Sequence, residues 1–185
     1  MVPEAPLEQT EAGVVPSGDG WFVLNAKDAR WYHADGRTAR TDFEGDTEFA
    51  ELGIHVNVLQ PGQSLGMYHW EAAQEDFLVL AGEALLLVEG EERPLRQWDF
   101  VHCPPGTNHI VIGAGDGPSV VLAVGARNSS LDDSTWGAYT VDALAQRHGV
   151  GVERTTSDAD EAYADWKRRQ PTRYREGWLN PPAAP

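Results

Sequence analysis

Four polar positions near the middle of the chain have the residue types and spacing to hold a cation. His69 and Glu71 flank Trp70, Glu75 follows, and His109 comes shortly after the breaker Pro104-Pro105-Gly106. Residues two apart on a strand face the same side, so His69 and Glu71 can converge on one point. Imidazole and carboxylate donors suit borderline and hard divalent ions such as Zn, Fe, Mn, Ni or Co. Two histidines and a carboxylate with open positions also form the donor set of non-haem Fe(II) oxygenases. A lone histidine on a strand is more often a hydrogen-bonded structural group, and His33, His55 and His148 are read in that way. His55 alternates with Ile54 and Val56 and is assigned to the polar face of its strand. His148 suits the last turn of a helix, where a cation is favourable. Met67, His102 and Asn108 are placed in the lining of a pocket around the site.

Short strands must carry these residues. Ile54, Val56 and Val58 alternate with polar neighbours, and Phe77–Leu80, Ala84–Val88, Phe100–Cys103, Ile110–Ile112 and Ser119–Val124 are further strand signals. Gly and Pro breaks separate them at intervals of about 8–12 residues, the rhythm of an all-β sandwich or barrel. No long helical period interrupts residues 45–126, which disfavours alternating strands and helices. Residues 1–19 are rich in Pro, Gly and Glu without an apolar period and read as a flexible arm. Trp21–Leu24 suits a strand, and Asn25 can cap one helical turn. After the barrel, residues 127–185 read as a helical extension and tail. Asp142–His148 forms one short helix, with Thr140 available as a cap and Gly149 as a stop. A second opens at Ser157–Glu161, runs to Lys167-Arg168-Arg169 and stops at Pro171. Tyr174, Trp178 and Leu179 give the tail apolar groups with which to dock.

The central segment resembles the cupin family. Its first motif has the core His-x-His, three or four residues, Glu, six residues, Gly, and Pro61-Gly62 through Glu75 and Gly82 follows that plan. Pro104-x-Gly106-x-x-His109 matches the core of the second motif, and fifteen residues lie between Gly82 and Trp98, where that motif opens. The resemblance covers about residues 45–126 and implies a single jelly-roll-like antiparallel β-barrel over residues 20–126, with one divalent metal in its mouth. The first motif normally supplies two histidines, and this chain has one. If His69 is the first, Glu71 takes the second position at the family's spacing. If His69 is the second, Met67 takes the first, and the interval to Glu75 is one residue too long. The first register is preferred and gives a ligand set of His69, Glu71, Glu75 and His109. Glu71 then stands as a fourth ligand, a catalytic base, or a group turned to solvent. Trp98 occupies a position usually held by Gly and is expected to cover one end of the barrel. Gly113 occupies one usually held by Asn.

Composition narrows the function. The chain of 185 residues carries 29 acidic and 14 basic side chains, a formal charge of −15. So acidic a surface repels phosphate backbones and anionic headgroups, which argues against nucleic-acid and membrane partners. The one cysteine, Cys103, excludes an intramolecular disulfide and reads as a buried structural thiol in a cytoplasmic protein. Beside the motifs the only clustered cations are Arg93 and Arg96, which weakens a phosphate-bearing substrate. The expected function is a metalloenzyme, dioxygenase-like or isomerase-like, on a small organic molecule. The alternative is a small-molecule binding module without catalysis. Residues 20–50, with Trp21, Phe22, Trp31 and Phe43, are candidates for strand pairing in a homodimer.

Overall fold

Alternating apolar side chains drive the centre of the chain into strands, because each strand can then bury one face against another. The structure, a computed structural model, describes residues 1–127 and 135–179. A hairpin of β1 (Leu7–Thr10) and β2 (Gly13–Pro16) comes first, then β3 (Trp31–His33), β4 (Ala39–Thr41) and β5 (Leu52–Leu59). The barrel continues with β6 (His69–Glu71), β7 (Glu75–Ala81), β8 (Glu83–Val88) and β9 (Glu91–Arg96). It is completed by β10 (Phe100–Cys103), β11 (His109–Ala114) and β12 (Ser119–Ala126). Beyond it lie β13 (Gly137–Tyr139), α1 (Ala143–Arg147), α2 (Ala159–Ala162) and β14 (Gln170–Thr172).

Two large sheets face each other. One has the order β10-β7-β12-β5-β4-β3-β14 and the other β13-β6-β11-β8-β9, with antiparallel pairing throughout. Their inner faces meet in a core of Leu59, Phe77, Val79, Leu86, Val101, Val111 and Val121. Val79, Val111 and Val121 are 0% exposed, and each such burial contributes about 1.5–3 kcal/mol. The outer faces are covered too. Leu144 and Ala145 of α1 pack on Tyr68, Leu87, Ile110 and Ile112. Tyr174, Trp178 and Leu179 pack over Trp31, Val56 and Val58. Among the described residues no helix is long and apolar enough to cross a membrane.

Several expectations are corrected. Residues 1–19 are not a free arm: Leu7–Pro16 forms the β1–β2 hairpin, Glu4 bridges Trp21, and Ala5 and Val15 are buried. Trp21–Leu24 forms no strand beyond that bridge. The segment after Asn25 makes a turn, with the Lys27 amide donating to Asn25 Oδ1. The α1 cap is Asp142, whose carboxylate accepts from the Ala145 amide, while Thr140 donates to Asn108 instead. The second helix is one turn, Ala159–Ala162, capped by Asp158. Pro171 sits in edge strand β14, where a missing N–H is tolerated. Trp31 is no free pairing surface, since it is 0% exposed inside its own chain.

Of the two departures from the second motif, the one at Gly113 has a local cause. Gly113 is needed because a Cβ there would lie 2.4 Å from the Gln60 carbonyl oxygen. Trp98 adopts φ 76°, the left-handed conformation that suits glycine. Its side chain is 66% exposed and does not cover the barrel.

Candidate metal centre

β6 and β11 pair at a single register position, His69 opposite His109. His109 shares the face of Val111, which points into the barrel, so both imidazoles point inward. Their ring centroids are 5.1 Å apart. Glu75 opens β7 and is the register partner of Cys103 on β10, and both face the same interior. The Gly106 amide donates to the Glu71 carbonyl at 2.7 Å, tying the Pro-Pro-Gly turn to β6.

The two histidines are oriented by the same device. His69 Nδ1 lies 2.7 Å from the Met67 carbonyl oxygen, and His109 Nδ1 lies 2.9 Å from that of Thr107. A carbonyl only accepts, so Nδ1 carries the proton in each ring, and Nε2 is directed at the shared interior. There His109 Nε2 stands 3.1 Å from Glu75 Oε2, and His69 Nε2 stands 3.5 Å from it. All three ligand atoms lie within 4.8 Å of one another. Donors bound to one ion at roughly 2.1 Å are separated by about 3–3.5 Å, so the spacing fits a single cation.

Polar satisfaction points the same way. His109 Nε2 and Glu75 Oε2 are buried, and among the described residues neither forms a hydrogen bond. An imidazole lone pair facing a carboxylate lone pair is costly unless a proton or a metal ion lies between them. Burial works against charge on His69, but the Glu71 and Glu75 carboxylates outweigh it and hold its pKa up at about 10. Burial opposes charge on His109 as well, and the Cys103 thiol and Glu75 raise it to about 9. Burial would raise Glu75, yet His109 and His69 hold it down at about 2. The cluster is thus built around positive charge, carried by protons on the imidazoles until a metal ion displaces them.

Glu71 shares the inner face with His69, as alternation on β6 requires, and its Oε1 lies 3.5 Å from His69 Nε2. It is the most open of the four side chains, 30% exposed, and stands outside the mutually close group of His69, Glu75 and His109. The proposed pocket residues fall elsewhere. Met67 contributes its carbonyl, while its side chain packs with Tyr139 and Val152. Asn108 is engaged by Thr140 at 2.7 Å. His102 points away from the barrel interior and pairs with Asp76 at 2.7 Å, because it alternates with the buried Val101 and Cys103. His55 is corrected in the other sense: its register partner Ala123 lies opposite Phe77, so His55 faces inward.

The walls include residues that sequence reasoning missed. Phe77 stands 5.3 Å from the His109 ring, and Tyr139 and Trp136 stand 5.9 and 6.1 Å from the His69 ring. Burial, followed by the neighbouring Tyr163 and Glu71, raises the Tyr139 pKa and keeps the phenol neutral. Tyr139 reaches the site through the pairing of β13 with β6, which no local signal announces.

Residues 55–125 match the model of the cupin domain. No curated protein matches the chain. Solved structures similar to it include a protein designated a sugar phosphate isomerase from Acidithiobacillus ferrooxidans. That alignment has 30% identity and a TM-score of 0.41, covering 42% of this chain and 51% of that protein, about half its length. The DMSP lyase DddQ from Ruegeria pomeroyi aligns at 25% identity and TM-score 0.43, over 69% of this chain and 59% of its own. The polyketide cyclase RemF from Streptomyces resistomycificus aligns at 14% identity and TM-score 0.50, over 60% and 87%. This last likeness is one of fold alone.

Proposed function

We infer the function of this chain from its membership of the cupin superfamily, carried by residues 55–125: it is a metalloenzyme acting on a small organic molecule. The observation behind this reading is the facing pair His109 Nε2 and Glu75 Oε2, buried without a hydrogen bond among the described residues and closed by His69. His69, Glu75 and His109 would hold one divalent ion. That ion would supply Lewis acidity toward an oxygen-bearing substrate, and dioxygen chemistry where it is iron.

The chain's own residues divide the remaining work. Glu71, beside His69 and partly open, would take a proton from substrate or water, or complete the ligand set. Tyr139, kept neutral, is able to donate a hydrogen bond at the mouth. Phe77 and Cys103 close the inner wall against water. The lone buried thiol of Cys103 suits a reducing compartment such as the cytoplasm.

The experiment is elemental analysis of protein purified without a nickel column or chelator. About one equivalent per chain is expected for a single site. Iron directs the next assay to oxygen uptake, and manganese, zinc or nickel to isomerisation. A chain that holds no metal and takes up none on titration would sink this reading. One observation favours a second reading, a binding module without catalysis: Glu71 replaces a histidine that the first cupin motif usually supplies. Thermal stabilisation by a metabolite that is not turned over would support it.

A further inference from the structure

A second polar cavity, of about 380 Å³, is lined by Tyr32, Arg37, Arg40, Leu65, Tyr163, Arg168 and Arg169. The register places its floor. Arg40 pairs with Asn57, and Asn57 with Val121 of the core, so Arg40 and its partner Tyr32 extend the inner face of the seven-stranded sheet. Four of the chain's 14 basic residues gather here, and among the described residues no acidic one lines the cavity.

The arginines are held in place without being neutralised. Arg169 Nε donates to the Thr38 carbonyl at 3.0 Å and its Nη2 to Thr38 Oγ1 at 2.5 Å. Arg37 donates to the Lys167 carbonyl at 3.1 Å and lies 3.9 Å from the Trp166 ring centroid. The Arg40 guanidinium forms no hydrogen bond or ion pair among the described residues, and the Nε atoms of Arg37 and Arg40 are buried without partners. Among the described residues only Arg168, at the rim, has a carboxylate, Asp160 at 3.4 Å. Asp42 lies near Tyr32, but its side chain is turned to the Glu44 amide.

We propose that this cavity is a binding site for a small oxyanion, a carboxylate or phosphoryl group clamped by Arg37, Arg40 and Arg169. Guanidinium groups in a fixed fork match two oxygens of such a group, and their mutual repulsion is relieved when it binds. Burial and then the charges of Arg37 and Arg40 lower the Arg169 pKa to about 9, the mark of a cluster lacking its counter-charge. Tyr163 joins this wall to the metal centre, because its hydroxyl accepts from the Met67 amide and the Met67 carbonyl holds His69. The proposal does not depend on the metal.

The test is isothermal titration of the full chain with inorganic phosphate and, separately, with succinate. Saturable binding at millimolar concentration or below is expected for at least one of them. Phosphate alone would assign a phosphoryl ligand, and succinate alone a carboxylate. Arg40→Gln should weaken binding by about tenfold or more. It should leave the melting temperature of the free protein unchanged or raised, because Arg40 has no partner to lose. Arg93→Gln, whose parent residue pairs with Glu91 on β9, should bind as the parent does. A folded His109→Ala variant should also keep the anion while losing the metal. Binding of neither anion, equal binding by Arg40→Gln, or loss in Arg93→Gln or folded His109→Ala would overturn the proposal.

Discussion

His69 and His109 are partners across the β6–β11 pairing, and each gives its Nδ1 proton to the carbonyl two positions before it. The rings are therefore locked before any ion arrives, with both Nε2 atoms aimed at Glu75 Oε2. Such preorganisation from the outer shell is worth 10- to 100-fold in metal affinity in general.

Removing a ligand itself should cost more. His109→Ala and His69→Ala are each expected to lower metal affinity by more than about 100-fold, beyond what outer-shell changes cost. Elemental analysis and competition with a chromogenic chelator read the loss. Glu71→Gln separates the roles of that residue. A comparable affinity loss marks a ligand, and unchanged affinity with lost turnover marks a base.

Protons and metal should compete for the same site. With His69 raised to about 10 and His109 to about 9, the metal-free site carries protons that a bound ion must displace. Affinity should therefore fall as pH falls below 9, by up to about two log units per pH unit where two protons leave. Calorimetry in buffers of different ionisation heat counts them. The same raised values mean that the metal-free fold has this stabilisation in full below pH 6.5 and loses it as pH rises through 9–10. Melting curves with and without metal should diverge at alkaline pH.

His55 titrates in the opposite sense. Burial, and then Arg40, lower its pKa from 6.5 to about 4. Between those values the unfolded chain binds a proton that the folded one refuses, so stability falls as pH drops from 6.5 toward 4, by about 3 kcal/mol at most. Denaturant unfolding of His55→Gln should lack this part of the slope.

Gly113→Ala should destabilise the fold by about 1–3 kcal/mol, the usual cost of overpacking. Its Cβ would stand 2.4 Å from one backbone oxygen and 3.0 Å from the Leu59 side chain. Chemical denaturation checks the value, and an unchanged midpoint would mean that the Gln60 turn yields freely.

Trp98→Gly should act in reverse. The side chain is exposed, so little burial is lost, and the left-handed backbone at φ 76° becomes unstrained. Part of that gain is returned as entropy in the unfolded chain, leaving a net stabilisation below about 1 kcal/mol. A shift of the denaturation midpoint at constant slope is the readout.

Much of the barrel was legible in the sequence because its signals are local. Alternation on β5 and β7 and the Gly and Pro breaks lie within single windows, and the His69-x-Glu71 spacing needs only the pleat. The cluster of His69, Glu75 and His109 followed from the two motifs. What escaped depends on register or on distant partners. The face of His55 was set by its pairing with Ala123, because in a closed barrel the polar residue of an alternating strand can be the inward one. His102 lay on the outer face because it alternates with the buried Val101 and Cys103. Tyr139 approaches His69 only after β13 pairs with β6. Arg37, Arg40 and Arg169 meet across most of the chain, so composition near the motifs could not reveal them. In residues 1–16, hairpin pairing and the burial of Ala5 and Val15 outweighed a polar, Pro-containing composition.

The edge of the larger sheet has a consequence for synthesis. β3 is covered on one side by β14, and Trp31 beneath it by Tyr174 and Trp178, all supplied by residues more than 40 positions beyond the last barrel strand. A ribosome that has released the whole barrel has still not released its lid. Until residue 178 emerges, the nascent sheet presents unpaired backbone groups and a bare indole, the features that invite association with neighbouring chains. Folding of this protein is therefore vulnerable between the emergence of β12 and that of Trp178, and a stall in that interval would leave a barrel complete in its core and adhesive at its rim.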